Sequence, residues 1–112
     1  MVMIDDLYEL PAGWIAAFGN DLVQELNNVM GNAAQEVYVK EKWGSLSASI
    51  SLSNDDMEAV VDKYKRIARQ TCAGCGAPAR RVSTGWILPW CDNCGSPQWK
   101  YKPIETYLDG ED

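Results

Sequence analysis

Four cysteines are the residues of this chain whose type and spacing carry the clearest chemistry. They form two C-x-x-C pairs, and a glycine follows each pair. Two such turns can direct four thiolates to one point, which is the spacing of a tetrahedral structural zinc site. Glycine also adopts the positive φ angle that a tight turn often needs. We therefore predict one structural Zn²⁺ as the cofactor, with the ligands Cys72, Cys75, Cys91 and Cys94.

Three other interpretations of the cysteines fit less well. Disulfides belong to secreted chains, and the sequence shows no basic-then-apolar segment of the kind that directs secretion. A thioredoxin-like redox motif needs only one C-x-x-C pair, and inert buried cysteines have no reason to fall into two equal spacings. A catalytic zinc keeps an open position and usually has a histidine ligand. The chain contains no histidine, so four thiolates would close the coordination shell.

Length and composition indicate a small globular protein. The chain has 112 residues, of which 46% are hydrophobic, and we expect one domain whose core is small enough for a bound metal to matter to its stability. No run approaches the ~20 apolar residues of a membrane span. A cytoplasmic location is expected because thiols stay available to metal in a reducing compartment.

The charges are divided unevenly along the chain. The net charge is −6; residues 1–60 hold ten acidic and two basic side chains, whereas residues 61–112 hold six acidic and eight basic ones. Overall acidity makes direct nucleic-acid binding an unfavoured interpretation, since phosphate affinity comes mainly from cations. The acidic residues of the N-terminal half are consistent with three roles: binding to a basic protein surface, mimicry of DNA, or simple solubility.

Hydrophobic periodicity predicts an α+β fold: an N-terminal helix, an antiparallel β-hairpin, a second helix and a C-terminal four-cysteine zinc-ribbon-like module. Apolar residues at helical spacing run from Trp14 to Met30, with Pro11 in the first turn and Gly31 as a stop. Residues 53–56 are typical of a helix start, and an apolar stripe follows from Met57 to Ala68.

Two alternating runs on either side of Gly44 predict the hairpin. The serines of the second run, at positions 45, 47, 49 and 51, are expected to point outward and to form a flat face open to docking or to solvent. The opposite face is expected to point inward. Its residues are Val37, Val39, Trp43, Leu46, Ala48, Ile50 and Leu52.

The region between the cysteine pairs predicts two short strands, at residues 80–82 and 86–88, in a zinc-ribbon-like or treble-clef-like module. Such a hairpin is too small to fold unaided, so loss of a ligand should unfold it and leave the helix and hairpin partly formed. Within a single domain spanning 1–112, we expect a helix–hairpin–helix body at 1–70, a zinc module at 71–96 and a tail at 97–112 with a helical turn at 104–108.

Catalytic motifs are missing from the sequence. It has no histidine, no phosphate-binding glycine loop and no G-x-S-x-G elbow, so we expect that the protein is not an enzyme. Tryptophans beside the second cysteine pair suit an interface hot spot, or equally a cover over the metal turns. Paired carboxylates suit a partner surface or helix starts. The candidate partner-binding residues are Trp90, Trp99, Asp5, Asp6, Glu9, Asp55 and Asp56.

Several of these segments resemble a family of small bacterial and phage proteins. Those proteins share an E-K-[WF]-G-x-L strand and a downstream C-x-x-C-G-x-P…G-W…C-[DE] metal region. The resemblance spans residues 37–94 and is extended by Pro11-x-Gly13-Trp14; it departs at Ser47, where the family usually has arginine. The segments that carry it are Val39–Leu46, Thr71–Pro78, Gly85–Ile87 and Cys91–Asp92.

The resemblance implies a phage or mobile-element origin, and some small acidic metal-containing anti-CRISPR proteins resemble the same layout. Our leading hypothesis is a non-catalytic, zinc-stabilised inhibitor in the host cytoplasm that binds a CRISPR effector nuclease and hinders DNA loading. The alternative is a zinc-ribbon module for nucleic acid or transcription. It would use the basic residues Lys65, Arg69, Arg80, Arg81, Lys100 and Lys102.

Overall fold

The computed structural model describes residues 2–30 and 36–105, and its elements confirm the predicted α+β class. The N-terminal helix is built from α1 (Ala12–Trp14), a single wide π-helical stretch (Ile15–Gly19) and α2 (Asn20–Val29), which follow one another without a break. Pro11 lies directly before α1 instead of within its first turn. The predicted stop, Gly31, lies outside the described residues.

A short 3₁₀ turn, Ile4–Leu7, precedes this helix and packs on its side. The side chain of Asn27 attaches the segment to α2: its Oδ1 accepts a hydrogen bond from the Val2 N–H (2.7 Å) and its Nδ2 donates to the Val2 carbonyl (2.9 Å). A β-carbon at Gly19 would lie 3.0 Å from Ile4 Cδ1, so the turn packs closely on the helix at this position.

The hairpin consists of β1 (Val37–Lys42) and β2 (Ser45–Ile50), antiparallel with Val37 opposite Ile50. Its two loop residues, Trp43 and Gly44, have φ angles of 52° and 81°, the type I′ geometry that matches strand twist. The loop takes Trp43 out of the strand alternation and leaves it 73% exposed, so its predicted inward position is wrong. Leu52 lies beyond the end of β2 at Ile50, with a φ angle of 53° and 72% of its surface exposed. Its predicted inward position is therefore also wrong.

Helix α3 (Asp55–Arg69) begins where the sequence predicts, because Asn54 caps it: the Met57 N–H donates to Asn54 Oδ1 over 2.8 Å. α3 packs on β2 and on α2, with an apolar core between them. Among the buried residues of this core are Leu7, Trp14, Phe18, Leu22, Leu26, Val39, Leu46, Met57, Val61, Tyr64 and Ala68.

A carboxylate joins α2 to α3 at the edge of the core. The Tyr64 hydroxyl donates to Glu25, and Lys63 Nζ lies 2.9 Å from Glu25 Oε1. The hydrogen bonds from Tyr64 and then Lys63 lower the pKa of Glu25. Burial, and then the bond to Glu25, raises the pKa of Tyr64. The pair therefore stays as a carboxylate bound by a neutral phenol at ordinary pH.

A second sheet, of three strands, forms the C-terminal part. Its order is β4–β3–β5, both pairs antiparallel, with β3 at Arg81–Ser83, β4 at Pro89–Trp90 and β5 at Tyr101–Pro103. The predicted hairpin is present, but its second strand starts at Pro89 instead of at residue 86. The Ser83 hydroxyl is the physical reason: it donates to the Trp86 carbonyl and accepts from the Leu88 N–H (3.1 Å), which folds residues 86–88 into a loop.

Strand β5 falls in the segment that the sequence predicts to be a tail. It pairs with β3, with Lys102 opposite Val82, so this part of the chain completes the sheet. Ile104 and Glu105 are helical, and the rest of the predicted turn at 104–108 lies outside the described residues. No helix within 2–30 or 36–105 is both long and apolar enough to cross a membrane. The division into body, module and tail stays a prediction.

Candidate metal centre

Two tight turns bring the four cysteine thiols together. The first turn follows α3, the second follows β4, and each closes on a glycine of positive φ: 85° at Gly76 and 87° at Gly95. The Sγ atoms of all four cysteines lie within 4.8 Å of one another. The cluster could therefore hold a metal ion at the residues that the spacing indicates, Cys72, Cys75, Cys91 and Cys94.

The four cysteines are not joined by disulfide bonds. Cys75 Sγ and Cys91 Sγ are 3.7 Å apart, whereas a disulfide bond is about 2.05 Å long, and all four cysteines are free. Cys72 and Cys91 are buried, Cys94 is half-buried and Cys75 is exposed. The cluster therefore has an inner side against the protein and an outer side near solvent.

Backbone N–H groups point at the innermost sulfur. The Gly74 N–H donates to Cys72 Sγ over 3.4 Å, and the N–H groups of Cys91 and Cys75 also reach this atom. Burial alone would raise the pKa of Cys72, but these hydrogen bonds outweigh it and lower the pKa to about 7. The Cys72 thiol therefore ionises more readily than an ordinary cysteine, and the thiolate is the state that a metal ligand needs.

The pKa values of Cys94 and Cys75 are raised. Hydrogen bonds with Cys91, Cys75 and Cys72 raise the pKa of Cys94 to about 12. The Ala77 N–H favours the thiolate of Cys75, as does a hydrogen bond with Cys94, but hydrogen bonds with Cys91 and Cys72, together with burial, raise the pKa of Cys75 overall. Several thiolates confined to one small volume need a cation among them, and a bound metal ion supplies it.

The first cysteine turn is seated on helix α1. The Gly13 N–H donates to the Ala73 carbonyl over 3.0 Å, and the Trp14 indole donates to the Thr71 carbonyl over 2.9 Å. A β-carbon at Gly13 would lie 2.8 Å from the Ala73 carbonyl carbon and still closer to the Cys72 carbonyl oxygen. The sequence shows Gly13 only as part of a resemblance, and it shows Trp14 there and at the start of the apolar helical stripe. Their role in holding the cysteine turn depends on a long-range contact that no local pattern reveals.

The second turn is covered by Trp90. Its indole N–H donates to Ser83 Oγ over 3.0 Å, and its ring would lie 3.4 Å from a β-carbon at Gly95. The ring of Trp99 packs on it at 5.5 Å between centroids and is 48% exposed. The structure thus brings these two candidate residues together, and Trp90 covers the metal turn as the second sequence interpretation describes.

An arginine and a tyrosine complete the support of this turn. Arg81 Nη2 donates to the Cys94 carbonyl over 3.0 Å, and its guanidinium lies 3.8 Å from the centroid of the Tyr101 ring. The Tyr101 hydroxyl donates to the Ser96 carbonyl over 2.6 Å. Because Tyr101 belongs to β5, the supposed tail holds the second cysteine turn in place. Sequence reasoning missed it, since a strand of three residues gives no periodic signal.

The five candidate carboxylates lie away from the cysteines and are all exposed. Two of them begin the 3₁₀ turn and two begin α3, where negative charge stabilises a helix N-terminus. The fifth, Glu9, is hydrogen-bonded to Tyr38 and raises the pKa of that phenol. These residues are Asp5, Asp6, Asp55, Asp56 and Glu9.

The six basic residues of the alternative interpretation have different surroundings. Arg81 is engaged with the second cysteine turn, whereas Arg80 and Lys102 are exposed elsewhere. The other three line surface clefts that also contain two tryptophans missed as candidates, Trp43 and Trp86. Those three basic residues are Lys65, Arg69 and Lys100.

Comparison with known proteins found no match to a family model, to a curated protein or to a solved structure. The resemblance to small bacterial and phage proteins, and the anti-CRISPR hypothesis that it suggested, therefore stay predictions.

Proposed function

We propose that the four cysteines bind one structural Zn²⁺ and that the protein is a non-catalytic binding protein whose C-terminal surface this ion holds in shape. The observation that carries the proposal is the clustering of four sulfurs within 4.8 Å. With Zn–S bonds of about 2.3 Å, a tetrahedron has S–S edges of about 3.8 Å. The Cys75–Cys91 separation of 3.7 Å fits that edge.

The donor set also favours zinc as a structural ion. Four thiolates are soft ligands in the geometry that zinc prefers, and they complete the shell so that no position stays open for a substrate or a reactive water. When bound, zinc would neutralise the thiolates and join the turn that follows α3 to the turn that follows β4. The N–H groups directed at Cys72 supply the second-shell support that such sites need.

Elemental analysis of the native protein tests the metal site. We expect about one zinc per chain, and Cys91→Ser should lower this content and unfold the three-stranded sheet, because structural zinc contributes folding free energy. Asp92→Asn is the matched control: it changes an exposed residue in the same turn and should keep the metal. A metal-free protein with intact tertiary structure would contradict the proposal, as would a coloured iron protein.

A protein target for this binding protein is a second proposal, which rests on the exposure of all five candidate carboxylates. Exposed carboxylates suit the basic groove of a nucleic-acid-handling enzyme, and a CRISPR effector nuclease is the target class that the layout suggests. Binding there would hinder DNA loading. Co-purification of the zinc-loaded protein with a panel of effector nucleases tests this idea; a panel without a stoichiometric complex would remove it.

A further inference from the structure

Three surface clefts adjoin one another in the described part of the molecule, and we call them together the trough. The first, of about 820 Å³, lies between the hairpin loop and the C-terminal half of α3. The second, of about 500 Å³, runs from the hairpin loop to the loop at Gly85–Ile87, and the third, of about 370 Å³, continues to Trp99. Lys42 and Trp43 belong to the first two clefts, whereas Gly85 and Trp86 belong to the last two. These shared residues place the three clefts next to one another.

Three tryptophans line the trough. Trp43 and Trp86 stand where neighbouring clefts meet, with 73% and 74% of their surfaces exposed, and Trp99 lines the far end. The backbone holds Trp43 at φ 52°, a conformation that is unfavourable for a bulky residue. A strained position occupied by a large exposed aromatic ring is a reason to look for a function.

The lining of the trough is cationic although the whole chain is acidic. Five basic side chains and two carboxylates line it, a net charge of +3, against −6 for the chain. One of the carboxylates, Glu41, accepts a hydrogen bond from the Gly44 N–H and so belongs to the hairpin loop. The basic residues come from the hairpin, α3 and the segment before β5. They are Lys42, Lys65, Arg66, Arg69 and Lys100.

Contacts within the molecule account for part of this charge. Arg66 and Arg69 complement the dipole of α3, and Lys42 Nζ lies 5.0 Å from the centroid of the Trp43 ring. Neither contact explains Lys100, which lies in the segment before β5.

We infer that the trough binds a single strand of nucleic acid, with successive bases on Trp43, Trp86 and Trp99 and with phosphates beside the basic side chains. This inference goes beyond the proposed function, because it assigns a partner to a cationic surface outside the cysteine cluster. Proteins that bind single strands combine a positive groove with aromatic rings on which bases stack. A duplex hides its base faces, and an acidic peptide would use the cations but not three flat aromatic surfaces.

Fluorescence anisotropy with the zinc-loaded full chain tests the inference. The probe is a labelled oligothymidylate of about 12 nucleotides, within the site sizes of single-strand binders, at about 50 mM salt. Trp86→Ala should weaken binding roughly tenfold, since one stacked base is lost. Tyr8→Ala is the matched control, because Tyr8 is 76% exposed and does not line the trough; it should bind like the unchanged protein.

A second pair of variants, each of which removes one positive charge, tests whether phosphates contact the trough or whether binding reflects only the general charge of the protein. Arg66→Gln should weaken binding and reduce the slope of log affinity against log salt by about 0.7, whereas Arg80→Gln, also exposed but outside the trough, should change neither. The inference is overturned if the oligonucleotide does not bind, if duplex binds equally well, or if the Trp86 and Tyr8 variants bind alike. Preferential binding of poly-glutamate would overturn it in favour of an acidic peptide.

Metal analysis of the same preparation keeps the two proposals apart. One zinc per chain without oligonucleotide binding overturns the trough and leaves the metal site standing. Oligonucleotide binding by a protein without zinc overturns the zinc site and supports the trough.

Discussion

At the scale of single residues, Gly13 decides how closely the N-terminal helix approaches the metal centre. Its N–H is bonded to Ala73, and its missing side chain leaves room for the carbonyl groups of the first cysteine turn. Backbone atoms that close cannot move aside as a flexible side chain could. The two parts of the molecule therefore meet backbone to backbone at this position.

Gly13→Ala should lower the free energy of unfolding by about 1–3 kcal/mol, the usual cost of forcing extra atoms into a packed site. Urea unfolding of the zinc-loaded protein measures the change. Gly85→Ala is the control, since a β-carbon there would meet nothing within 4 Å and stability should change little. Equal stability of the two variants would mean that α1 does not rest on the cysteine turn as described.

At the scale of elements, the sequence predicts the helices and strands that are long or that have a clear periodicity of apolar residues. The helix around Phe18 and Leu22, the hairpin around Val39 and helix α3 all have periodic apolar residues that bury one face, and each is present. The cysteine cluster could also be predicted from the sequence, because a metal site is recognised by the type and spacing of its ligands.

Short elements and long-range contacts could not be predicted in the same way. Strand β5 has three residues, too few for alternation, and only its pairing with β3 makes it a strand. The displacement of β4 to Pro89 follows from one buried hydroxyl, Ser83, whose bonds cross the loop. The inward position predicted for Trp43 is wrong because the inward–outward alternation of β1 ends at Lys42, and Trp43 belongs to the two-residue loop.

The hairpin loop also yields a prediction that separates stability from binding. Trp43→Asn places a residue that tolerates positive φ before Gly44, the favoured type I′ pair, and should raise the free energy of unfolding by about 0.5–1 kcal/mol. The same change should weaken oligonucleotide binding if the trough acts as inferred. Thermal unfolding and anisotropy measure the two effects.

The matched control for the loop is Tyr38→Asn, the same kind of replacement at a half-exposed position within β1. Asparagine is unfavourable in a strand, so this variant should be less stable than the unchanged protein. If both variants lost stability, the strain assigned to Trp43 would be refuted.

At the scale of the whole molecule, the charge of the chain and the charge of its surfaces differ. Net charge argues against nucleic-acid binding as a general property, yet the trough collects cations that are far apart in sequence, such as Lys42 and Arg66. The exposed carboxylates at Asp5, Asp6 and the start of α3 do not line it. Folding therefore places basic residues together beside the clefts, and a composition cannot report that placement.

The metal centre should couple both parts of the molecule, because Gly13 and Trp14 in the N-terminal helix are bonded to the first cysteine turn. Sequence alone predicts that loss of zinc unfolds the cysteine module and leaves the helix and hairpin partly formed. The contacts sharpen this expectation: removal of zinc should also expose the amides of α1, while the strands β1 and β2 keep more protection. Hydrogen exchange followed by mass spectrometry, with and without a chelator, measures it.

The Cys91→Ser variant without chelator serves as the control, since it removes a ligand and adds no reagent. Its exchange pattern should match that of the chelated protein. If zinc leaves and the amides around Gly13 stay as protected as before, the helix holds its place through its own core contacts, and the coupling is wrong. If the whole chain loses protection at once, zinc stabilises one cooperative unit and the predicted boundary at residue 70 does not separate independent parts.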